Sequence, residues 1–296
     1  MKLKSESLQI GNRIFKWGSR TYIMGILNIT PDSFSGDGLM ASGDRVEQAL
    51  RQAERFLKEG ADILDVGGES TRPGSQPISV EEEKERVIPV IRAIAKEFPE
   101  AILSIDTYKA EVAREAFEAG AHILNDVWAL RADPELASVA SAYRTPVILM
   151  HNRSNPASVE VRERLGSAYV GAQYENLIED VKRELLASVE IALSAGVEET
   201  RLILDPGIGF GKTREHNLEL INRLDEIRAL GYPILLGSSR KSFIGFTLDL
   251  PPDQRLEGTA ATVAVGIVRG ADIIRVHDVK EMTRVAKMTD AIVRHG

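Results

Sequence analysis

The sequence predicts an α/β fold of the (β/α)8 TIM-barrel type with a small N-terminal β-hairpin, and three observations support this prediction. First, a Gly that follows an amphipathic segment and precedes a short apolar run recurs within residues 59–66, 119–126 and 269–276. Gly is favoured just after a helix because it adopts positive φ without a Cβ clash. Second, the apolar runs are rich in Ile, Leu and Val, as is typical of buried parallel strands. Third, strand and helix patterns alternate eight times, which favours a closed barrel over an open sheet.

The elements are predicted in chain order from these patterns. Residues 8–16, with Gly11 and Asn12 at the turn, are predicted to form a hairpin that closes the bottom of the barrel. The apolar runs predict strands at residues 22–28, 62–66, 101–105, 121–125, 146–150, 201–205, 233–237 and 271–275. The amphipathic patterns predict helices at residues 44–58, 80–96, 110–118, 169–195, 218–230, 259–269 and 279–293. No segment has the composition of a linker, so we expect a single domain over residues 1–296.

Composition excludes several classes of protein. The chain of 296 residues has 44 acidic residues against 37 Lys and Arg, a net charge of -7 and no Cys. The lack of Cys excludes disulfides, thiolate metal sites and Cys nucleophiles, and it is consistent with a reducing compartment. The acidic balance argues against nucleic-acid binding, although an acidic protein can still have a locally positive cleft. Since no apolar run approaches a membrane span and residues 1–7 lack the apolar part of a signal peptide, we expect a cytoplasmic location without membrane contact.

Polar residues follow the predicted strands, where barrel enzymes place their functional groups. Alone, each could be a helix cap or a loop hydrogen bond, but together they form a ring: Asn28, Asp65, Asp106, Asn125, His151, Asp205, residues 238–241, Arg275 and His277. The acids and the amide suit a heterocycle rich in N–H donors, unless they pair with the Arg and Lys residues of the barrel itself. A cationic set suits a phosphate group, a frequent ligand after the last two strands of such barrels: Arg72, Lys241, Arg275 and His277.

Two long loops follow the first two predicted strands and are rich in Gly, Ser and Pro. They span residues 28–38 and 67–75. Loops of this kind after barrel strands often act as lids or substrate clamps, and the alternative is simple connection. Simple connection requires neither Phe34 in the first loop nor Arg72 in the second, so we favour lids.

Seven segments in one colinear order resemble the dihydropteroate synthase family, from about residue 22 to the C-terminus. The segments are NITPDSFS at 28–35, GGESTRPG at 67–74, SIDT at 104–107, AHILND at 121–126, LDPGIGFGK at 204–212, GSSRKSFIG at 237–245 and RVHD at 275–278. The resemblance implies one pterin-binding TIM-barrel domain. It also implies a transferase of folate biosynthesis that joins 6-hydroxymethyl-7,8-dihydropterin diphosphate to p-aminobenzoate, releases pyrophosphate and is inhibited by sulfonamides.

The resemblance also implies a role for individual residues. It assigns catalysis to Lys241, Arg72, Asp205 and Asp106. The pterin would be bound by Asp106, Asn125, Asp205 and Lys241, between Met150 and Phe210. The diphosphate would be bound by Arg72, Arg275 and His277, with Mg2+ bridging it to Asn28. The p-aminobenzoate would lie against Phe34, Pro73 and Thr71, with its carboxylate near Ser242. An SN1-like departure of pyrophosphate and a homodimer built through the later helices are further expectations.

The chain departs from the family pattern after His151, where residues 152–158 replace a segment that commonly carries Met and a basic-Gly pair. Three alternatives remain. A pterin barrel of the methyltetrahydrofolate:corrinoid methyltransferase type would share the acids and the amide but would not need a diphosphate site. A catalytically silent pterin-binding regulator would keep the fold without turnover. A generic phosphate-binding barrel would explain neither the loops nor the acids.

Overall fold

A computed structural model describes residues 3–30 and 42–294, and its main feature is a closed barrel of parallel strands. The barrel strands are β3 (Tyr22–Asn28), β4 (Ile63–Gly67), β5 (Ile102–Asp106), β6 (Ile123–Asp126), β7 (Val147–Met150), β10 (Leu202–Asp205), β11 (Leu235–Leu236) and β12 (Ile273–Val276). Their order around the sheet is β10-β7-β6-β5-β4-β3-β12-β11. A parallel bridge between Leu204 and Ile234 closes the ring. The predicted (β/α)8 barrel is confirmed, and its strands begin within two residues of the predicted positions.

Helices lie outside the strands and pack against them. They are α1 (Ser42–Glu59), α2 (Val80–Glu97), α3 (Ala110–Ala119), α4 (Leu136–Ala142), α5 (Leu177–Ser194), α6 (Arg214–Asn222), α7 (Leu224–Arg228), α8 (Ser242–Leu248), α9 (Leu256–Val268) and α10 (Val279–Val293). Helices α4 and α8 are not among the helices that the sequence pattern predicts. No helix within the described ranges is long and apolar enough to cross a membrane.

Strand side chains alternate between two cores. The outward residues of each strand, such as Leu64 and Leu204, join the large core between the sheet and the helices. The first inward residues form a separate apolar layer inside the barrel, which contains Tyr22, Met24, Ile63, Ile102, Ile123, Ile148, Ile203, Leu235 and Ile273. Because side chains alternate with a period of two along a strand, the next inward residue lies two positions further on. Those positions carry the polar groups described below.

The N-terminal hairpin of β1 (Ser7–Ile10) and β2 (Arg13–Lys16) covers the bottom of the barrel, as predicted. Its inner face is part of the same apolar layer, through Leu8, Ile10 and Phe15. Phe15 is 1% exposed whereas its neighbour Ile14 is 63% exposed, so one face of the hairpin is buried and the other meets solvent. This seal makes the opposite end the open mouth of the barrel.

The helix predicted for residues 169–195 is wrong in its first part. Residues 159–169 instead form a second hairpin of β8 (Val159–Arg162) and β9 (Gly166–Tyr169). Helix α5 begins only at Leu177, because the Asn176 side chain accepts the N–H of Glu179 at 3.3 Å and caps it.

The helix predicted for residues 218–230 is likewise two helices. Helix α6 begins at Arg214, where the Thr213 hydroxyl accepts the N–H of His216 at 3.1 Å, and the chain breaks at Arg223 before α7. The cap at Thr213 directly follows the loop after β10, so it also fixes the end of that loop.

Candidate active site

A polar layer lies directly above the apolar layer, at the carboxyl ends of the strands. Its members come from seven strands or the residues just after them: Asp65, Asp106, Asn125, Met150, Asp205, Gly237 and Arg275. Asp65 is fully buried, and Asn125, Met150 and Asp205 are 4–5% exposed. Burial of several ionisable groups without partners would be unfavourable, so their pairing determines what the layer can do.

Arg275 is held between two carboxylates. Its Nε donates to Asp65 Oδ2 and its Nη2 donates to Asp106 Oδ2, both at 2.6 Å. Asn125 Nδ2 donates to the same Asp65 oxygen at 3.1 Å. Burial opposes the charge on Arg275, but Asp65 and Asp106 outweigh burial and raise its pKa. These bonds use two of the five guanidinium N–H donors and fix the direction in which the others point.

Two carboxyls of this layer, Asp106 and Asp205, have pKa values raised toward their neutral forms. Burial raises the pKa of Asp106 to about 7, against the opposing effect of Arg275. Burial also raises the pKa of Asp205, which Lys241 opposes. Asp106 accepts from Arg275 and Asp205 accepts from Gly207, which leaves acceptor capacity on both carboxyls. A ligand with several N–H groups would provide donors for that capacity.

The loop after β10 shapes one wall of the mouth. Gly207 N–H donates to Asp205 Oδ1 at 2.7 Å, which fixes the carboxylate. A Cβ at Gly207 would lie 1.8 Å from the carbonyl oxygen of His151, and its φ is +70°, so only Gly fits there. The loop places the Phe210 ring against Lys241, whose Nζ lies 4.6 Å from the ring centroid and donates to the carbonyl of Ile208. Burial lowers the pKa of Lys241 to about 8.

A buried chain of hydrogen bonds supports this loop from below. Lys212 Nζ donates to the carbonyls of Gly207 at 2.8 Å and Phe210 at 3.1 Å, and lies 3.0 Å from His151 Nδ1. Burial lowers the pKa of His151 to about 4, with Lys212 as the next cause, so the imidazole is neutral. Its Nδ1 therefore accepts from Lys212, and its Nε2 donates to Glu184 at 3.0 Å. Lys212 thus closes the loop that carries Phe210.

His277 differs from the cation that the sequence predicts. Burial, followed by the nearby charges of Arg275, Arg240 and Arg72, lowers its pKa to about 3, so it is neutral at pH 7. Its Nδ1 lies 3.0 Å from the Ser239 hydroxyl, which also accepts the N–H of His277 at 3.2 Å. When Ser239 donates to Nδ1, the ring proton lies on Nε2 and is available to a ligand oxygen.

The loop that carries Arg72 is tied down at its base. Lys109, after β5, donates to Glu69 Oε2 at 2.7 Å, to Glu83 Oε2 at 2.6 Å and to the carbonyl of Ile78 at 2.9 Å. Glu69 and Ile78 are the two ends of the loop, so one ammonium holds both. Glu83 is 1% exposed, and burial raises its pKa against the opposing effect of Lys109. The tip between these ends holds Thr71, Arg72 and Pro73, of which Arg72 is exposed.

The other predicted site residues lie around the same mouth. Met150 ends β7 next to Asp205, with which it pairs in register. Asn28 ends β3 next to Gly67, and Ser242 begins α8 just after Lys241. Phe34 lies outside the described residues. The predicted residues within the described ranges are therefore gathered at one end of the barrel.

Three contributors were missed. Asp65 is one of the predicted strand-end residues, but the sequence predicts no function for it. In the structure it is the buried partner of Arg275. Lys212 is the last residue of the segment 204–212, and Lys109 lies two residues after the segment 104–107. Each lysine lies in the loop that follows a strand-end acid, Lys109 after Asp106 and Lys212 after Asp205. A lysine in that position is the signal that could have identified both. Their partners Glu184 and Glu83 lie in helices, where an acidic residue looks like part of a solvated face.

Comparisons with known proteins agree with this geometry. The model of the pterin binding enzyme family matches residues 24–277. The dihydropteroate synthase of Clostridium beijerinckii is 51% identical over 97% of this chain and 100% of its own length. The structure of a Clostridium difficile dihydropteroate synthase, determined in the presence of pteroic acid, has 48% identity and a TM-score of 0.85 over 95% of this chain and 100% of that one. That of Yersinia pestis dihydropteroate synthase with a sulfonamide has 39% identity and a TM-score of 0.86, over 98% and 100%.

Proposed function

The chain belongs to the family of pterin binding enzymes, and from that premise we propose that it catalyses the dihydropteroate synthase reaction. It joins 6-hydroxymethyl-7,8-dihydropterin diphosphate to p-aminobenzoate, forms 7,8-dihydropteroate and pyrophosphate in folate biosynthesis, and is a target of sulfonamides. The observation that carries this proposal is the polar layer. Buried carboxyls with raised pKa values lie beside Arg275 and Lys241 at the open end of the barrel, directly above the apolar layer. That arrangement suits a donor-rich ring joined to an anion.

The pterin is bound by the polar layer. Asp106 and Asp205 accept from its amino and ring N–H groups, and Asn125 and Lys241 meet its other polar atoms. Met150 and Phe210 cover its faces. A fixed set of acceptors rejects analogues that lack a matching donor.

The diphosphate lies toward the rim, beside the groups that stabilise a leaving anion. Arg275 is directed there by Asp65 and Asp106, and Arg72 reaches it from its loop. Neutral His277 donates from Nε2 to a phosphate oxygen. As the C–O bond breaks, negative charge grows on pyrophosphate while the pterin ring delocalises the developing cation, so these donors bind the transition state more strongly than the ground state. The arylamine is neutral at pH 7 and attacks without a strong base, which fits an SN1-like course.

Mg2+ fits this site only as a companion of the diphosphate. Within the described residues, no cluster of three or more His, Cys, Asp or Glu side chains could hold a metal ion. Mg2+ commonly takes few protein ligands and completes its shell with substrate phosphates and water. Asn28, at the end of β3, would be the protein ligand. When bound, the ion would neutralise part of the charge on the leaving group.

The p-aminobenzoate subsite lies between the Thr71 loop and α8. Thr71 and Pro73 contact the ring and Ser242 meets its carboxylate. Sulfonamides compete for the same subsite.

A homodimer is also part of this proposal. Helices α9 and α10 pack against each other and share an outward apolar patch of Val265, Val268, Met288 and Ile292, which are 43–63% exposed. An exposed patch of this kind is typical of a protein interface. Light scattering after gel filtration should give twice the chain mass, and Val268→Glu with Ile292→Glu should give the monomer. The lack of Cys keeps a cytoplasmic location as our prediction.

A coupled assay tests the activity. The purified protein, incubated with both substrates and Mg2+, should release pyrophosphate in proportion to p-aminobenzoate, and mass spectrometry should identify dihydropteroate. Chelation of Mg2+ should slow the release. A folded protein that binds the pterin without any turnover would support the silent-regulator alternative, and methyl transfer without diphosphate would support the methyltransferase alternative.

A further inference from the structure

The hairpin β8–β9 is the part of the mouth that the function above does not use. It follows His151, where the sequence departs from the family pattern, and Tyr169 at its end lies beside two site loops. The Tyr169 hydroxyl donates to the carbonyl oxygen of Thr71 at 3.0 Å. The Tyr169 ring centroid lies 6.0 Å from that of Phe210, with the planes inclined by 32°. One side chain therefore joins the Thr71 loop to the Phe210 loop.

The base of the hairpin is fixed to the loop after β10. Ala172 N–H donates to the carbonyl of Gly211 at 3.0 Å, and the Tyr174 hydroxyl donates to the same oxygen at 3.2 Å. A Cβ at Gly171 would lie 2.5 Å from Thr213 Cγ2, so the two segments are in close contact. The hairpin thus starts from the wall that carries Phe210.

The tip of the hairpin rests on elements that follow the neighbouring strand β11. The Arg162 guanidinium lies 4.1 Å from the ring centroid of Phe246 in α8, the helix that begins at Ser242. The carbonyl of Leu165 accepts from Arg255 Nη2 at 2.7 Å. Since Arg162 and Tyr169 occupy opposite faces of the ribbon, one face meets α8 while the other meets Thr71 and Phe210.

Tyr169 also supports a part of the Thr71 loop that the other contacts leave unsupported. Lys109 holds the loop only at its two ends, Glu69 and Ile78. Ser75 closes the tip internally, through a bond to the carbonyl of Arg72 at 2.7 Å. The bond from Tyr169 is the one that reaches the tip from another element among the described contacts. This hydrogen bond and the contact of the Tyr169 ring with Phe210 therefore fix the position of Thr71 relative to Phe210.

We propose that Tyr169 is a positioning residue for the second substrate, holding the Thr71 loop and the Phe210 ring at the spacing that p-aminobenzoate requires. This inference rests on the proposed function, because it takes the subsite beside Thr71 to bind p-aminobenzoate. The pterin acceptors Asp106, Asn125 and Asp205 belong to the strands and to a separate network of hydrogen bonds. Tyr169→Phe keeps the ring that packs against Phe210 and loses only the bond to Thr71, so it should alter the binding of p-aminobenzoate and leave the binding of the pterin unchanged.

Steady-state kinetics of Tyr169→Phe and Tyr169→Ala test this proposal, with Val170→Ala as the matched control. Val170 is adjacent, exposed and directed to the opposite face of the ribbon. Loss of the hydroxyl removes one hydrogen bond and should raise the KM for p-aminobenzoate about threefold to tenfold. Loss of the whole ring should raise it roughly tenfold or more. In Tyr169→Phe the KM for the pterin diphosphate should stay within about twofold of the wild-type value, because the ring that packs against Phe210 and the acceptors that bind the pterin are kept. The inhibition constant of a sulfonamide should rise with the KM for p-aminobenzoate.

Several results would overturn the inference. An unchanged KM for p-aminobenzoate in both Tyr169→Phe and Tyr169→Ala would do so. An equal rise in the KM for p-aminobenzoate and the KM for the pterin diphosphate in Tyr169→Phe, together with a lower melting temperature, would also do so, because it indicates a merely structural role. If Tyr169→Ala does not fold, Tyr169→Phe alone decides, since it keeps the ring. Failure of the wild-type protein to form dihydropteroate would instead refute the proposed function, so the two failures are distinguishable.

Discussion

The two interior layers of the barrel are carried by the same strands, yet they differ in chemistry and in what they contribute. In β10, Ile203 lies in the lower layer and Asp205 in the upper layer, two residues further on. In β4, Ile63 and Asp65 are related in the same way. The lower layer is sealed by the N-terminal hairpin, and the upper layer opens to the mouth. A strand therefore changes from stabilising the fold to presenting reactive groups within about 7 Å, at roughly 3.3 Å per residue.

The difference shows how the fold tolerates buried charge. Asp106 and Asp205 in the upper layer have raised pKa values because burial disfavours their ionised forms, and Arg275 and Lys241 offset only part of that effect. The apolar layer beneath them supplies the stability that this arrangement costs. If this division holds, changes in the upper layer should reduce turnover more than stability, and changes in the lower layer should do the reverse.

The largest effect is expected from Asp205→Asn and Lys241→Met. Asn keeps an oxygen that accepts from Gly207, and Met keeps the length of the lysine side chain, but each variant loses the charge that meets the pterin. We expect kcat/KM to fall by about 100-fold to 1,000-fold, the usual loss for one preorganised polar group. Melting temperatures should change little or rise, since a buried charge has been removed. Wild-type turnover in either folded variant would contradict the assignment of the pterin site.

A smaller effect, and of the opposite kind, is expected from Ile203→Ala. Ile203 is fully buried in the lower layer, and its truncation leaves a cavity. The free energy of unfolding should fall by roughly 2–5 kcal/mol. The kcat of the folded variant should stay within about twofold of the wild-type value. Ile14→Ala, on the exposed face of the hairpin, is the control and should change stability by less than about 0.5 kcal/mol. A large loss of kcat in Ile203→Ala would show that the layers are not independent.

The sequence predicts the lower layer and the strand ends more completely than it predicts the pairing within the mouth. Apolar runs between Gly and polar residues locate the strands within two residues, because parallel strands are buried on both sides. The bond from Arg275 to Asp65 joins residues 210 positions apart, and only closure of the barrel brings them together. The hairpin of residues 159–169 was missed because its ribbon lies on the surface, where burial imposes no apolar pattern. The sequence does not predict that His277 is neutral, because its pKa depends on burial and on charged neighbours that only the folded structure brings together.

The smallest effect that separates the layers concerns the pH dependence of stability. Asp106 has a pKa of about 7 in the folded protein, against ~3.9 in an unfolded chain. Between these values the folded protein keeps a proton that the unfolded chain has released. Stability is therefore lost as the pH rises from about 4 to about 7, by at most ~1.4 kcal/mol per pH unit. Asp106→Asn removes this dependence, because an amide does not titrate.

Urea unfolding of the wild type and Asp106→Asn at pH 4, 5.5, 7 and 8 measures the difference, and the stability of the variant relative to the wild type should rise up to about pH 7 and then level off. The contribution of Asp126, whose pKa burial raises to about 6, is common to both proteins and cancels. Ile203→Ala removes no ionisable group, so it should shift the stability of the protein by the same amount at every pH. A constant difference for Asp106→Asn as well would mean that Arg275 compensates this carboxyl fully, and the upper layer would then resemble the lower one in stability as well as in position.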